Sequence, residues 1–333
     1  MAYLQSDPPQ LIPETRFNTS KAMLGLGSFA QAWELAESRF ALSPRPEGVR
    51  SGPYWEGWPQ VSEITVWHEQ GLGDTLQFLR WIPAVLEQGR SVRLLVQQPL
   101  HRMVSRGMVW CGSALSVEVS QPGEQIDGCH GSLLSLPWRL NQARPPWPRE
   151  PGYLQRPSST QGLKGAHPRL GLLWGAGRYL DGYLKERDYR RKSLLGRPLL
   201  KLLRELNERP LELVNLQTGP DRTQAQAAGS IWADGVDPAA DFYGLAEKMV
   251  SLDLVLCVDT AGAHLAGALG LETWLLLPWA AASRWQRHTN ASAWYPSLRL
   301  WRQPRHGDWD GLWPELLVAL DQRFAINRSN KAW

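Results

Sequence analysis

The stretch Leu252–Gly270, LDLVLCVDTAGAHLAGALG, joins a strand-like segment directly to a helix-like one and decides the fold class. Leu252–Val258 is a short apolar run of the kind found in buried strands of parallel sheets. Asp259 and Thr260 follow at once, and small residues then open a predicted helix over Ala261–Leu269. A strand, an acidic turn and a helix in direct succession favour an α/β fold with a parallel sheet.

The same alternation runs through the second half of the chain. Further strands are predicted at Arg169–Trp174, Leu211–Leu216 and Thr273–Pro278, and helices at Pro198–Asn207, Thr223–Ala228, Asp241–Ser251 and Leu312–Phe324. The charged stretch Arg178–Ser193 is predicted to be a long polar loop. This pattern predicts a Rossmann-like domain over residues 163–311, followed by a closing helix within residues 312–333.

The first half repeats the pattern. Strands are predicted at Ile64–Trp67 and Val92–Gln97, helices at Asp74–Gln88 and Pro99–Arg106, and a buried piece at Leu133–Pro137. These elements predict a first Rossmann-like domain over residues 46–150. Residues 143–162 are rich in Pro, Ser and Gly, which is typical of an interdomain linker.

Residues 19–44 near the start of the chain are predicted to form a helical pair within an N-terminal segment, residues 1–45. Its helices are expected at Lys21–Leu26 and Phe29–Phe40, with a glycine-containing turn between them. The pair resembles the last unit of a tetratricopeptide array. One such unit cannot bury its own apolar face, so it is expected to pack on the next domain.

Composition limits the classes of function. The 333 residues are 43% hydrophobic, and 36 Lys+Arg against 32 Asp+Glu give a net charge of +4. This suits an anionic small ligand, whereas no long basic tract indicates a nucleic-acid groove. Cys111, Cys129 and Cys257 show no metal-ligand spacing, and no stretch approaches the ~18 apolar residues of a membrane span. These features predict a cytoplasmic protein without a transmembrane segment.

The stretch Glu69–Trp81, EQGLGDTLQFLRW, is a second turn between a strand and a helix. It lacks the third glycine of a dinucleotide-binding motif. Gln70, Gly71 and Gly73 are predicted to form a tight turn that lets a ligand approach the backbone. Asp74 then has two interpretations: it caps the helix, or it is a catalytic base held over a cleft.

The turn after the strand in Leu252–Gly270 favours a phosphate site. The positive end of a helix and its free N–H groups bind diphosphates, and small residues permit close approach. The candidates are Asp259, Thr260, Ala261, Gly262, Ala263 and His264. The alternative is that Asp259 or Thr260 only caps the helix and that His264 is packed in the core. Arg191 and Lys192 are the candidates for neutralising a leaving diphosphate.

Two further stretches carry weaker signals. In Leu216–Asp221, LQTGPD, Gln217 and Gly219 are candidates for nucleotide contacts, and Asp221 for accepting a hydrogen bond from a ribose hydroxyl. Tryptophans near the C-terminus are more often core than site residues; these are Trp279, Trp285, Trp294 and Trp301.

Together these motifs carry a family resemblance. The stretches concerned are WHEQGLGDTLQFLRWIP, LLSLP, LGLLWGAG, LVLCVDTAGAHLAGALGLETWLLLP and WYPSLRLWRQPRHGDW. They resemble the glycosyltransferase region found behind tetratricopeptide repeats in bacterial proteins, which is similar to the family 9 heptosyltransferases. The resemblance covers nearly the whole chain from about residue 20. It implies a GT-B fold, in which two Rossmann-like domains face a central cleft, and an inverting, metal-independent transfer.

The resemblance also implies residue roles. Asp74 occupies the position of the proposed general base, and Asp259–His264 occupies that of the turn holding the donor phosphates. Gly262 and Ala263 depart from the family pattern, because they replace bulkier residues.

The leading hypothesis is therefore a hexosyl- or heptosyltransferase whose N-terminal half binds the acceptor and whose C-terminal half binds the donor. The implied donor is a nucleotide-diphospho-sugar, used as substrate with no cofactor. The implied acceptor is a glycan, a lipid-linked sugar or a protein, as in the synthesis of cell-surface glycan or lipopolysaccharide; peripheral association with a membrane is compatible with this. Two alternatives are a GT-B nucleotide-sugar epimerase and a degenerate transferase that binds nucleotide-sugar as a scaffold.

Overall fold

The described part of the chain forms two α/β units. The structure is a computed structural model, described over residues 12–42, 52–57, 61–142, 152–158, 165–177, 183–219, 221–222, 224 and 241–326. Unit 1 takes its described residues from 1–101, 109–147 and 282–289, and unit 2 from 102–108, 148–281 and 290–333. The chain crosses between the units more than once. Residues 102–108 belong to unit 2 although unit 1 flanks them, and residues 282–289 belong to unit 1 although unit 2 flanks them.

Unit 1 is built on a parallel sheet. Its strands are β1 (Glu63–Trp67), β2 (Ser91–Val96), β3 (Leu115–Val119) and β4 (His130–Ser132), in the order β3-β2-β1-β4. Helices α4 (Leu72–Phe78) and α5 (Ile82–Leu86) connect β1 to β2, α6 (Gln98–Gly107) follows β2, and α7 (Leu136–Arg139) follows β4. The two predicted strands are confirmed to within one residue at each end. By contrast, β3 and β4 lie in a region for which no strand was predicted.

The N-terminal helices belong to unit 1. They are α1 (Pro13–Gly25), α2 (Phe29–Ala36) and α3 (Arg39–Leu42). Gly27 has φ +79° in the turn between α1 and α2, as a helix-ending glycine requires. The ring centroid of Trp33 lies 6.0 Å from that of Phe78 and 5.9 Å from that of Trp81, both at steep interplanar angles. The segment therefore packs on the first α/β unit, as expected, whereas its likeness to a tetratricopeptide unit stays a prediction.

Unit 2 is built on a five-stranded parallel sheet. Its strands are β5 (Arg169–Leu173), β6 (Glu212–Asn215), β7 (Leu254–Val258), β8 (Thr273–Leu277) and β9 (Leu298–Arg302), in the order β6-β5-β7-β8-β9. Its helices after residue 165 are α8 (Tyr183–Lys192), α9 (Arg197–Asn207), α10 (Phe242–Met249), α11 (Ala261–Ala268) and α12 (Trp313–Arg323). Every residue of β7 and β8 is buried, which explains their continuous apolar sequences. Leucines of α9 and α12 complete the core.

One prediction for unit 2 is wrong. Arg178–Ser193 is not a loop throughout, because α8 occupies Tyr183–Lys192; ion pairs such as Arg190–Glu186, 2.7 Å apart, support this polar helix. The outer strand β9 lies in a stretch for which no strand was predicted. The predicted helix Thr223–Ala228 and most of the predicted linker 143–162 lie outside the described residues. Within the described ranges, no helix combines the length and apolarity needed to cross a bilayer.

Candidate functional site

Asp74 lies in the first turn of α4, at the carboxyl end of β1. The helix begins at Leu72 with Gly71 as its N-cap, so Asp74 is the third helical residue and not the cap itself. Its Oδ2 accepts a hydrogen bond from the Gly71 N–H at 3.2 Å, which is half of a capping box. Capping therefore uses only one of the two carboxylate oxygens.

Arg284 contacts the other oxygen. Its Nη2 lies 2.6 Å from Asp74 Oδ1, and its Nη1 donates to Gln77 Oε1. The side chains of Asp74 and Arg284 are 18% and 26% exposed, so solvent reaches the pair. Sequence reasoning missed Arg284, because it lies 210 positions from Asp74 and in no recognised motif.

Strained backbone surrounds this pair. Gln70 has a left-handed φ of +64°, whereas the N-cap Gly71 is extended and Gly73 is helical. The turn was predicted to depend on the glycines, but the unusual conformation falls on Gln70. Gln286 and His288, beside Arg284, have φ of +30° and +63°. Left-handed φ in a non-glycine residue costs about 1–3 kcal/mol and is found most often at functional sites.

In unit 2, Asp259 and Thr260 follow the end of β7 and α11 begins at Ala261, as predicted. Thr260 is the N-cap in an extended conformation, and its side chain makes no cap hydrogen bond. The first N–H groups of a helix have no partner within that helix, so this end can bind an anion.

The other candidates in this turn are packing residues. A Cβ on Gly262 would lie 2.5 Å from Leu173 Cδ1, so this glycine is needed for contact with β5 and not only for ligand access. Ala263 and His264 are buried, and His264 Nδ1 lies 2.9 Å from the Tyr295 hydroxyl. His264 therefore fits the packed-core alternative; the backbone of 259–262 remains the part suited to a phosphate.

Gly267→Ala tests this packing. Its Cβ would lie 2.4 Å from Tyr295 Cδ1, and an aromatic ring in a core cannot move aside cheaply. We expect the free energy of unfolding to fall by about 1–3 kcal/mol, measured by chemical denaturation. Gly244→Ala on α10 is the matched control, because its Cβ would enter open space, and it should stabilise by about 0.5–1 kcal/mol. Equal stability of the two variants would contradict the packing argument.

The basic end of α8 lies beside the Asp259 turn. Lys192 Nζ is 3.7 Å from Asp259 Oδ2 and 3.0 Å from Asp188 Oδ2. Arg191 donates to the Ala280 carbonyl and pairs with Asp188. Partial burial would raise the pKa of the Asp188 carboxyl, but the bonds from Arg191 and Lys192 outweigh it and hold that pKa below its usual range. Of the two cations selected from the sequence, Lys192 thus lies close to the predicted phosphate turn, whereas Arg191 contacts the segment that follows β8.

The predicted nucleotide contacts have other partners. Gln217 is buried, and its Oε1 accepts from the backbone N–H groups of Trp174 and Gly175 at 3.0 and 2.8 Å. Asp221 is buried, with the Tyr189 hydroxyl 2.7 and 2.8 Å from its two carboxylate oxygens. Both side chains hold the end of β5 and α8 in place. Gly219 is exposed with φ +66°, which a glycine adopts without strain.

Three of the four C-terminal tryptophans are buried, as predicted, but Trp279 is 43% exposed just after β8. A surface groove of about 550 Å³ is lined by Glu272, Ser297 and Leu298, among others. These residues are at the amino ends of β8 and β9, away from the turn at Asp259, so the groove is not the candidate site. In the described ranges, no cluster of His, Cys, Asp and Glu side chains has a metal-binding arrangement.

Comparisons with known proteins show that the fold of this chain is similar to solved structures. No family model matches the chain. Protein FlbA of Caulobacter vibrioides is 26% identical over 344 residues, covering 94% of this chain, which spans only 56% of the length of FlbA. An Escherichia coli ADP-heptose lps heptosyltransferase II has a TM-score of 0.50 at 12% identity, with 79% of this chain and 98% of that chain covered.

A glycosyl transferase of family 9 from Veillonella parvula DSM 2008 has a TM-score of 0.52 at 8% identity, covering 80% of this chain and 98% of its own. Sequence identities this low establish the fold and not the activity. The chain therefore shares the mixed α/β fold, with two parallel sheets, of the GT-B glycosyltransferases.

Proposed function

We propose that the protein is an inverting, metal-independent glycosyltransferase that uses a nucleotide-diphospho-sugar. The observation that carries this is a strand-to-helix turn with fitting chemistry in each unit of a fold shared with known glycosyltransferases. In unit 1, a carboxylate follows the end of β1; in unit 2, a helix starts after β7 with Lys192 near it. In open α/β sheets, ligands bind beyond the carboxyl ends of the strands.

In the proposed reaction, an acceptor hydroxyl oxygen attacks the anomeric carbon of the donor while the bond to the diphosphate oxygen breaks. Asp74 Oδ1 takes the hydroxyl proton, so Arg284 must share that oxygen with the acceptor or release it. The nucleoside diphosphate leaves with the electron pair, and Lys192, Arg191 and the start of α11 stabilise its charge.

A donor screen tests the proposal. Thermal shift is measured with ADP-, UDP-, GDP- and CMP-sugars, ADP-heptose among them, and each binding donor is then incubated with glycan, lipid-linked and protein acceptors. Sugar transfer with inverted anomeric configuration supports the proposal. Isomerised sugar from donor alone would indicate an epimerase, and tight binding without turnover would indicate a scaffold.

Activity is expected to survive chelation. Cationic side chains and a helix start can neutralise a leaving diphosphate without a divalent ion. The initial rate is measured in excess EDTA and again after addition of magnesium or manganese. Complete loss in EDTA that a divalent ion reverses would contradict metal independence.

A further inference from the structure

Arg39 of α3 forms a buried ion pair with Glu69, the residue that follows β1 by two positions. Its Nε donates to Glu69 Oε1 at 2.7 Å and its Nη2 to Glu69 Oε2 at 2.9 Å, so the contact is bidentate. The two side chains are only 7% and 11% exposed. Burial would lower the pKa of the Arg39 guanidinium, but its bonds to Glu69 and Glu37 outweigh this and raise that pKa.

The pair is the centre of a polar network. Ser132 at the end of β4 donates to Glu69 Oε2 at 2.6 Å. Arg39 Nη2 also donates to Ser135 Oγ at 2.8 Å, and Arg39 Nη1 to Glu37 Oε1 at 2.6 Å. Glu69 is therefore held from one side by an N-terminal helix and from the other by β4. A buried ion pair gains little net stability over well-packed apolar residues, because both charges lose their water.

Glu69 directly precedes the strained Gln70 of the Asp74 turn. A left-handed non-glycine residue persists only where its surroundings hold it. Gln97 Nε2 donates to the Gln70 carbonyl at 3.3 Å, and Thr75 Oγ1 donates to Gln97 Oε1 at 3.0 Å. The Gln97 contacts hold the turn after Gln70, and the Arg39–Glu69 pair holds the chain before it.

The N-terminal helices also reach the other parts of the Asp74 site. Trp33 of α2 packs edge-on against Phe78 of α4, the helix that carries Asp74. Helix α1 packs on the 3-10 turn Ser283–Trp285, which carries Arg284. The helices thus contact the turn, the helix and the partner of Asp74.

We propose that Arg39 is a positioning residue: through Glu69 it fixes the 69–74 turn and so the direction of the Asp74 carboxylate. The N-terminal helices are then part of the acceptor-side site and not an appended repeat. The effect of Arg39 on catalysis rests on the proposed function, whereas its effect on the order of the 69–74 turn does not.

The test separates positioning from simple stability. Arg39→Met leaves Glu69 as an uncompensated buried charge and should lower Tm. Arg39→Met/Glu69→Leu removes both charges and should return Tm towards the wild-type value. The matched control is Arg209→Met/Asp321→Leu, which removes a bidentate pair of 2.7 and 3.0 Å between the end of α9 and α12.

If Arg39 positions the turn, amides of residues 69–78 in the Arg39→Met/Glu69→Leu variant should exchange hydrogen at least about 10-fold faster than in wild type, although Tm has recovered. The turnover number should fall about 10-fold or more, while the affinity for ADP, UDP or GDP, measured by calorimetry, stays unchanged. The Arg209→Met/Asp321→Leu control should show wild-type exchange over 69–78.

Recovery of both Tm and wild-type exchange in the Arg39→Met/Glu69→Leu variant would overturn the proposal, because the pair would then be structural only. If that variant does not fold, Arg39→Lys decides: it keeps the charge without the bidentate fork, and wild-type exchange over 69–78 would again overturn the proposal. A wild-type protein without turnover on any donor would sink the proposed function, yet the exchange comparison would still test the positioning of the turn.

Discussion

Asp74→Asn is expected to leave a folded protein with almost no turnover. Asparagine keeps an oxygen that accepts from the Gly71 N–H, so the first turn of α4 retains its cap and Tm should stay near normal. The asparagine amide cannot, however, take the proton from the hydroxyl group of the sugar acceptor. We expect the turnover number to fall about 10²–10⁴-fold, which is about 3–5 kcal/mol of barrier. The measurements are product formation with the donor found in the screen, Tm, and donor affinity.

Glu118→Gln is the matched control for Asp74→Asn. Glu118 is also a unit 1 carboxylate paired with an arginine, 2.8 Å from Arg93 Nη2, but it is 45% exposed on the outer strand β3. Loss of such a surface pair costs about 0–1 kcal/mol of stability and should leave turnover unchanged. Wild-type turnover in Asp74→Asn would leave Asp74 with only its part in the capping box.

Lys192→Met is expected to weaken binding of the nucleoside diphosphate. A charged hydrogen bond contributes about 1.5–3 kcal/mol, which corresponds to a roughly 10–150-fold rise in Kd. Methionine keeps much of the apolar length of the lysine side chain, so the packing of α8 should change little. Isothermal titration with ADP, UDP and GDP at constant ionic strength measures the effect.

Arg190→Met is the matched control on the same helix. Arg190 is 70% exposed and pairs with Glu186 one turn away, so its side chain faces solvent. Its replacement by methionine removes the same formal charge as Lys192→Met does. The Kd of Arg190→Met for the nucleoside diphosphate should stay within about twofold of the wild-type value, because a screened surface charge contributes little to binding. Equal weakening by Arg190→Met and Lys192→Met would mean that only the overall charge of α8 attracts the nucleotide.

The sequence predicted those strands and helices whose pattern of apolar residues matches the burial seen in the structure. The apolar run of β7 and the small residues of α11 were located to within two residues, because β7 is buried throughout and α11 is buried from its second residue on. Helix α8 was missed because Tyr189 is the only residue of Glu186–Arg190 that is buried, which leaves no apolar period to detect. Strand β9 was missed because Trp301 and Arg302 interrupt the alternation begun by Leu298–Leu300, so its burial is neither alternating nor continuous.

The candidate site was predictable only where it is local. Asp74 and the Asp259 turn follow directly from a strand before a helix start. Arg284 joins Asp74 across 210 positions, and Arg39 joins Glu69 across 30, so no window of sequence contains either pair. The partner of Asp221 was missed for the same reason, since Tyr189 lies 32 positions away, on a segment predicted to be a loop.

The membership of residues 282–289 in unit 1 has a consequence for synthesis in the cell. Residues up to 147 leave the ribosome first, but the turn that α1 packs against and the partner of Asp74 lie near residue 284. At about 5–20 residues per second, some 140 further residues take roughly 7–28 s to translate. During that interval α1 lacks the turn at Ser283–Trp285 that it packs against in the whole chain. A stop codon after residue 147 should therefore give a fragment in which α1 is less protected from hydrogen exchange than in the whole chain.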